Sequence, residues 1–128
     1  MLTAGLVLAA LAAALHGYIF FLESLAWTRP GTRAVFGTTA EQAEATRELA
    51  FNQGFYNLFL GVVTVVGVVL TATGADEVGP ALVLAGTGSM VAAGAVLLLS
   101  SPDKASAALK QLVPPLLAVV AVVVGVAT

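Results

Sequence analysis

The sequence predicts an all-α integral membrane protein, a single domain folded as a four-helix bundle. Three observations carry that prediction. The hydrophobic fraction is 59% and the charged fraction only 9%, with a mean hydropathy of +1.02, whereas soluble domains carry roughly 25% charged residues. The 128 residues suffice for one domain, and a soluble interior of that size cannot hide so much apolar surface. Apolar runs recur at about residues 2–22, 50–71, 81–99 and 109–127, separated by Gly, Pro and charged residues, and a spanning helix needs about 20 such residues.

The first run is rich in Ala and Leu. No Lys or Arg precedes it, and it ends in His16, aromatic residues and Glu23 rather than in a small-residue cleavage site. That pattern predicts a retained helix, not a signal peptide. His16, Phe20, Glu23 and Trp27 follow the i, i+4, i+7, i+11 spacing of one helical stripe. Trp27 and Arg29-Pro30 then close the span at an interface, where Trp is favoured and Pro ends a helix.

Thr28 to Thr38 reads as a loop, with Pro30-Gly31 and Gly37 as turn residues. Thr38 followed three residues later by Glu41 fits a capping box and starts the second helix. No breaker then intervenes before Thr73 except Gly54, Gly61 and Gly67. Such a helix of about 35 residues is roughly 52 Å long, well beyond a hydrocarbon core of roughly 30 Å. Its first turns, Glu41 to Glu48, are therefore expected to extend into the cytoplasm, with the span beginning near Ala50. Residues 74–80 form a turn. The third span carries Gly86, Gly88, Ala92 and Gly94, small residues that let membrane helices approach closely. The fourth contains Pro114-Pro115, which free the carbonyls of Lys110 and Gln111 and predict a bent or loosely wound start.

Four spans place both termini on one side. All five basic residues, Arg29, Arg33, Arg47, Lys104 and Lys110, fall in or beside the first and third connections. The positive-inside rule makes that side cytoplasmic and both termini extracytoplasmic. A net charge of −2 with so few basic residues excludes an electrostatic nucleic-acid binder. The absence of cysteine excludes disulfides and thiolate metal sites.

Polar side chains collect at the basic end. Asn52-Gln53-Gly54-Phe55-Tyr56-Asn57 opens the second span with Asn52/Tyr56 and Gln53/Asn57 at i,i+4, so the four polar groups share one broad face. Glu23 ends the first span at that level, Gln111 begins the fourth there, and His16 lies about 10 Å deeper than Glu23. All nine aromatic residues fall between Tyr18 and Phe59, whereas two interface belts would populate both membrane edges. Rings with a few convergent polar groups are the usual lining of a small-molecule site. The plain alternative is that these groups serve as glue between helices.

A metal site is not expected. His16 and Glu23 are seven residues apart, whereas helical ligand pairs sit at i+3 or i+4, and there is no second His. Acid–base chemistry fits better. A Glu beside a low-dielectric pocket is a candidate acid or base, with His16 as its complement. The residues select no cofactor.

The segments His16-Gly17-Tyr18-Ile19-Phe20-Phe21-Leu22-Glu23, Trp27 and Asn52-Gln53-Gly54-Phe55-Tyr56-Asn57 resemble the domain-of-unknown-function 1304 family of small bacterial and fungal membrane proteins. Val91-Ala92-Ala93-Gly94 and Gln111-x-x-Pro114 are similar to its second half. The chain departs from the pattern with Leu58 where a Gly is expected, Arg47 where a Lys is usual, and no Tyr after the third-span Gly. The resemblance implies a four-helix membrane protein with a polar His/Glu/Asn site and assigns no activity.

The expectation is a multi-pass protein of the bacterial inner membrane whose cytoplasm-facing pocket binds a small amphiphilic or lipid-like ligand. His16 and Glu23 are the candidate catalytic pair. Tyr18, Trp27, Asn52, Gln53, Phe55, Tyr56, Asn57 and Gln111 are the candidate ligand-binding residues. The lipid bilayer is the expected partner, and the small residues of the third span are compatible with a homo-oligomer. Two other readings stay open: a small transporter subunit, and a structural membrane protein whose polar face makes helix or subunit contacts.

Overall fold

A computed structural model describes residues 1–128. Helix α1 covers Leu2–Phe20 and continues into a π-helical turn, Phe21–Leu25. Two short helices follow, α2 (Pro30–Phe36) and α3 (Ala40–Ala45), and then α4 (Arg47–Ala72). Helix α5 covers Val78–Ser100, and a 3₁₀ turn at Pro102–Lys104 leads into α6 (Ala105–Ala127). There is no strand. The four long helical segments, Leu2–Leu25, Arg47–Ala72, Val78–Ser100 and Pro102–Ala127, are each long and apolar enough to cross a membrane.

These four close a bundle in which α1 and α5 each pack against both α4 and α6 and face one another across the diagonal. The interior is narrow because its residues are small. Ala9, Ala12, Ala118 and Val122 are fully buried along α1 and α6, and Val83 of α5 meets Ala9, Ala118 and Val122 in the core. The bulkier side chains, such as Val62, Val65, Leu117 and Val120, point outward, as they do when lipid is the solvent. With no hydrophobic drive between helices in lipid, close backbone approach supplies the attraction. At the α4–α5 crossing, a Cβ on Gly67 would stand 2.6 Å from the Val83 nitrogen and 2.8 Å from the Gly79 oxygen. Only a residue without a side chain fits there.

Four local features differ from the sequence expectation. Within the expected loop at Thr28 to Thr38, residues 30–36 form the short helix α2, with Pro30 at its first position, where proline's fixed φ suits a helix start, and Gly37 (φ 63) closing it. The extension of the second long helix is present in two pieces, because the chain turns at Thr46 (φ −105, ψ 7) between α3 and α4. The capping box is one residue further on: the Gln42 N–H donates to Thr39 Oγ1 at 3.1 Å, and the Thr39 N–H donates to Gln42 Oε1 at 3.0 Å. Thr38 and Thr39 are both good caps, and Gln serves in the reciprocal position as well as Glu. The fourth helix starts at Ala105, before its expected bound, and runs through Pro114 and Pro115 without interruption. Membrane helices tolerate such prolines where the surrounding bundle resolves the freed carbonyls.

Gly67→Ala is expected to destabilise the bundle by about 1–3 kcal/mol, the usual cost of overpacking. Gly88→Ala, whose Cβ meets nothing within 4 Å, is expected to leave stability unchanged. Thermal unfolding of both variants in detergent checks the pair.

Candidate functional site

The polar site is built where α1 stops. A regular helix would separate successive side chains by 100°. The π turn accommodates an extra residue, with the Phe21 N–H shared between the Gly17 and Tyr18 carbonyls. Phe20, Glu23 and Ser24 all meet α4 as a result. Phe20 sets its ring edge against Phe55, with centroids 5.1 Å apart. Ser24 Oγ donates to the Phe51 carbonyl at 2.8 Å. Glu23 Oε2 accepts a hydrogen bond from Asn57 Nδ2 at 2.9 Å.

This approach needs Gly54. A Cβ there would overlap Ser24 Oγ and stand 3.0 Å from the Ser24 nitrogen. The Gly of the Asn-Gln-Gly segment is thus a contact glycine. It brings the two polar stretches within hydrogen-bonding reach.

Trp27 lies beyond the end of the first helix rather than on its stripe, because the chain leaves the helical path at Ala26 (φ −130, ψ 14). Its indole N–H donates to the Ala43 carbonyl at 3.0 Å and approaches Thr46 Oγ1 at 3.2 Å. Its ring packs edge-on against Phe36, with centroids 5.0 Å apart. Trp27 therefore pins both α2 and the α3–α4 break. Together with Glu23, Ser24, Arg47, Glu48 and Phe51 it lines an open groove of ≈ 550 Å³ at the basic end of the bundle. Glu44, also on the groove, pairs with Arg47 at 3.6 Å. The other oxygen of Glu23, Oε1, takes no protein hydrogen bond and is not fully buried, and Glu23 is one of the groove's lining residues.

The remaining sequence candidates sit elsewhere. His16 is 2% exposed, and its Nδ1–H donates to the Ala12 carbonyl of its own helix at 2.9 Å. No hydrogen bond joins it to Glu23. Asn52 turns back on the Glu48 carbonyl at 3.0 Å. Gln53 contributes its backbone carbonyl, which accepts from Asn57 Nδ2 at 3.2 Å, and its side chain is exposed. The expected broad polar face of α4 thus divides: Asn57 faces Glu23, whereas Tyr56 is 67% exposed on the outside. Phe55 packs between Phe20, Phe51 and Phe59. Tyr18 stacks on Phe21 at the surface, and Gln111 makes no side-chain hydrogen bond. No group of three or more His, Asp or Glu side chains converges on a point where a metal ion could sit.

Comparison with known proteins gives one match. Residues 10–123 fit the family described as a protein of unknown function, DUF1304. The chain belongs to the DUF1304 family. No curated protein and no solved structure matches it. The DUF1304 match covers both polar stretches and reaches into all four long helices, so the Glu23–Asn57 contact lies within the family's shared region.

Sequence reasoning missed Ser24, Glu44, Arg47, Glu48 and Phe51 as groove residues. Ser24 had a signal, because a Gly on α4 opposite a hydroxyl residue on α1 marks a close crossing. The acidic and basic residues of α3 and α4 had none. Of these, only Glu44 lies ahead of the turn at Thr46; Arg47 and Glu48 belong to the first turn of α4.

Asn57→Leu removes the one donor to Glu23 and is expected to cost about 1–3 kcal/mol, whereas Glu23→Gln keeps an Asn57 partner and is expected to cost less. Thermal unfolding in detergent separates the two. Trp27→Phe keeps the ring but loses the indole N–H, and faster amide exchange across residues 40–46 is the expected readout.

Proposed function

We propose that this DUF1304 protein is a multi-pass protein of the bacterial inner membrane that binds a small amphiphilic molecule in the groove beside Glu23. The observation that carries the reading is a carboxylate on the last turn of a spanning helix. One of its oxygens is fixed by Asn57, and the other is left toward a groove walled by Trp27 and Phe51. A carboxylate needed only as glue has both oxygens satisfied by the protein, since polar groups near hydrocarbon are costly when unpartnered. The groove lies at the end of the bundle that holds all five Lys and Arg residues, which the positive-inside rule assigns to the cytoplasm. Both termini are then extracytoplasmic.

In this reading Arg47, Glu44 and Glu48 meet the polar head of the ligand, and the rings of Trp27 and Phe51 flank its apolar part. Glu23 is the group placed to take or give a proton. His16 is not placed to exchange a proton with it directly, because no hydrogen bond joins the imidazole to the Glu23 carboxylate. The carboxylate, not the imidazole, is therefore the reactive centre of the proposal. A transporter subunit is the weaker alternative, since the interior beyond His16 is lined by Ala, Gly and Val and by threonines bonded to their own helices.

Native mass spectrometry of the detergent-purified protein tests the reading. The wild type is expected to carry an organic adduct that Glu23→Gln and Trp27→Ala lose and Asn52→Ala keeps. Bare protein in every case, with Glu23→Gln also thermally weakened, would establish instead that the polar cluster joins helices and nothing more.

A further inference from the structure

A second recess opens sideways between α1 and α4, separate from the groove beside Glu23 and sharing no residue with it. Its volume is ≈ 350 Å³, and Ala10, Ala14 and Gly17 face Leu58, Val62 and Val66 across it. The floor is close-packed: a Cβ on Gly61 would stand 3.2 Å from the Ala13 carbonyl oxygen. The walls are wider because α1 contributes almost no side-chain bulk there.

A recess of this kind, set among outward-facing valines, opens to lipid rather than to water. A void in hydrocarbon forfeits dispersion contacts on every wall, so a chain lying in it is favoured over a chain sliding past. The recess begins at Gly17, about 12 Å along the helix from Leu25, and ends at Ala10, about 22 Å along. A lipid whose head lies at the basic end reaches the Gly17 end of the recess with the far part of one chain, given a leaflet core of roughly 15 Å.

The approach to the recess is marked by charge. Phe21 lies one helical turn beyond Gly17 on the same side of α1, and the residue is 41% exposed. The Arg29 guanidinium stands 6.0 Å above that ring. Arg29 has no carboxylate partner, since the one ion pair of the chain joins Arg47 to Glu44. An exposed guanidinium held over an aromatic ring at the membrane edge presents its fork of donors to phosphate oxygens. We propose that the α1–α4 recess is a site for one acyl chain of an anionic phospholipid, whose headgroup phosphate is bound by Arg29. The inference does not rest on the groove beside Glu23, and neither depends on the other.

The test is native mass spectrometry of protein released from mixed micelles of phosphatidylglycerol and phosphatidylcholine. Four proteins are compared: wild type, Arg29→Gln, Gly17→Leu and Glu23→Gln. A Cβ at Gly17 meets no protein atom within 4 Å, so leucine there fills the recess without displacing a helix. An unchanged melting temperature verifies that. The wild type is expected to retain one phosphatidylglycerol with a preference of about fivefold, the effect of one basic side chain at an anionic surface. Arg29→Gln is expected to abolish the preference, Gly17→Leu to lower retention of both lipids, and Glu23→Gln to change neither. Retention unaffected by Gly17→Leu, or a preference that survives Arg29→Gln, overturns the proposal. Loss of the lipid in Glu23→Gln alone would move it to the groove and overturn the proposal equally.

Discussion

A polar group inside this bundle must find a partner without water, and how each one does so shapes the rest of the molecule. Thr64, Thr71 and Thr87 donate to the carbonyls of Leu60, Gly67 and Val83 on their own helices. His16 does the same with Ala12. These groups are settled before any helix meets another, so they pull no helices together. Glu23 is different. A carboxylate has no donor of its own, and no free backbone N–H is available in the middle of a helix, so it must take its hydrogen bond from a neighbour. Asn57 supplies it. The π turn, the glycine at position 54 and the Ser24–Phe51 bond are the local geometry that lets α1 and α4 come close enough for that bond to form.

The remaining helices are held by shape. Gly67 lies against the Val83 and Gly79 backbone, and the alanines of α1 and α6 fill a slender interior. The four-sided arrangement follows the order of the helices, with consecutive long helices as neighbours and the last packed against the first. Specific polar pairing is thus concentrated at one end, with close-packed apolar surfaces elsewhere. That division agrees with the placement of the aromatic and charged residues.

Much of this was legible in the residues. Hydropathy and turn residues locate four spans, and the polar stretches around Glu23 and Asn57 point to the end of the bundle where the two meet. What the residues did not reveal is instructive. Helical spacing placed His16, Glu23 and Trp27 on one stripe, but that arithmetic assumes an unbroken 3.6-residue period. The π turn and the exit at Ala26 both violate it. Asn52 and Tyr56 carry the same chemistry as Asn57, and which of them faces α1 is decided by the rotation of α4 about its axis. Gly54 fixes that rotation, and its meaning emerges only with Ser24 opposite it. The break at Thr46 has no Pro or Gly to announce it. It is stabilised by the indole of a residue nineteen positions earlier.

That indole has an optical consequence. Trp27 is the only tryptophan in the chain, and it stands on the wall of the groove with its N–H on the Ala43 carbonyl. Nearly all of the protein's near-ultraviolet emission therefore originates at one point, between the end of the first membrane span and the helix break. The wavelength and quenching of that emission report on the polarity of the groove and on the position of α3. The molecule has a built-in spectroscopic probe at the place where its polar groups gather, and no label need be attached to observe it.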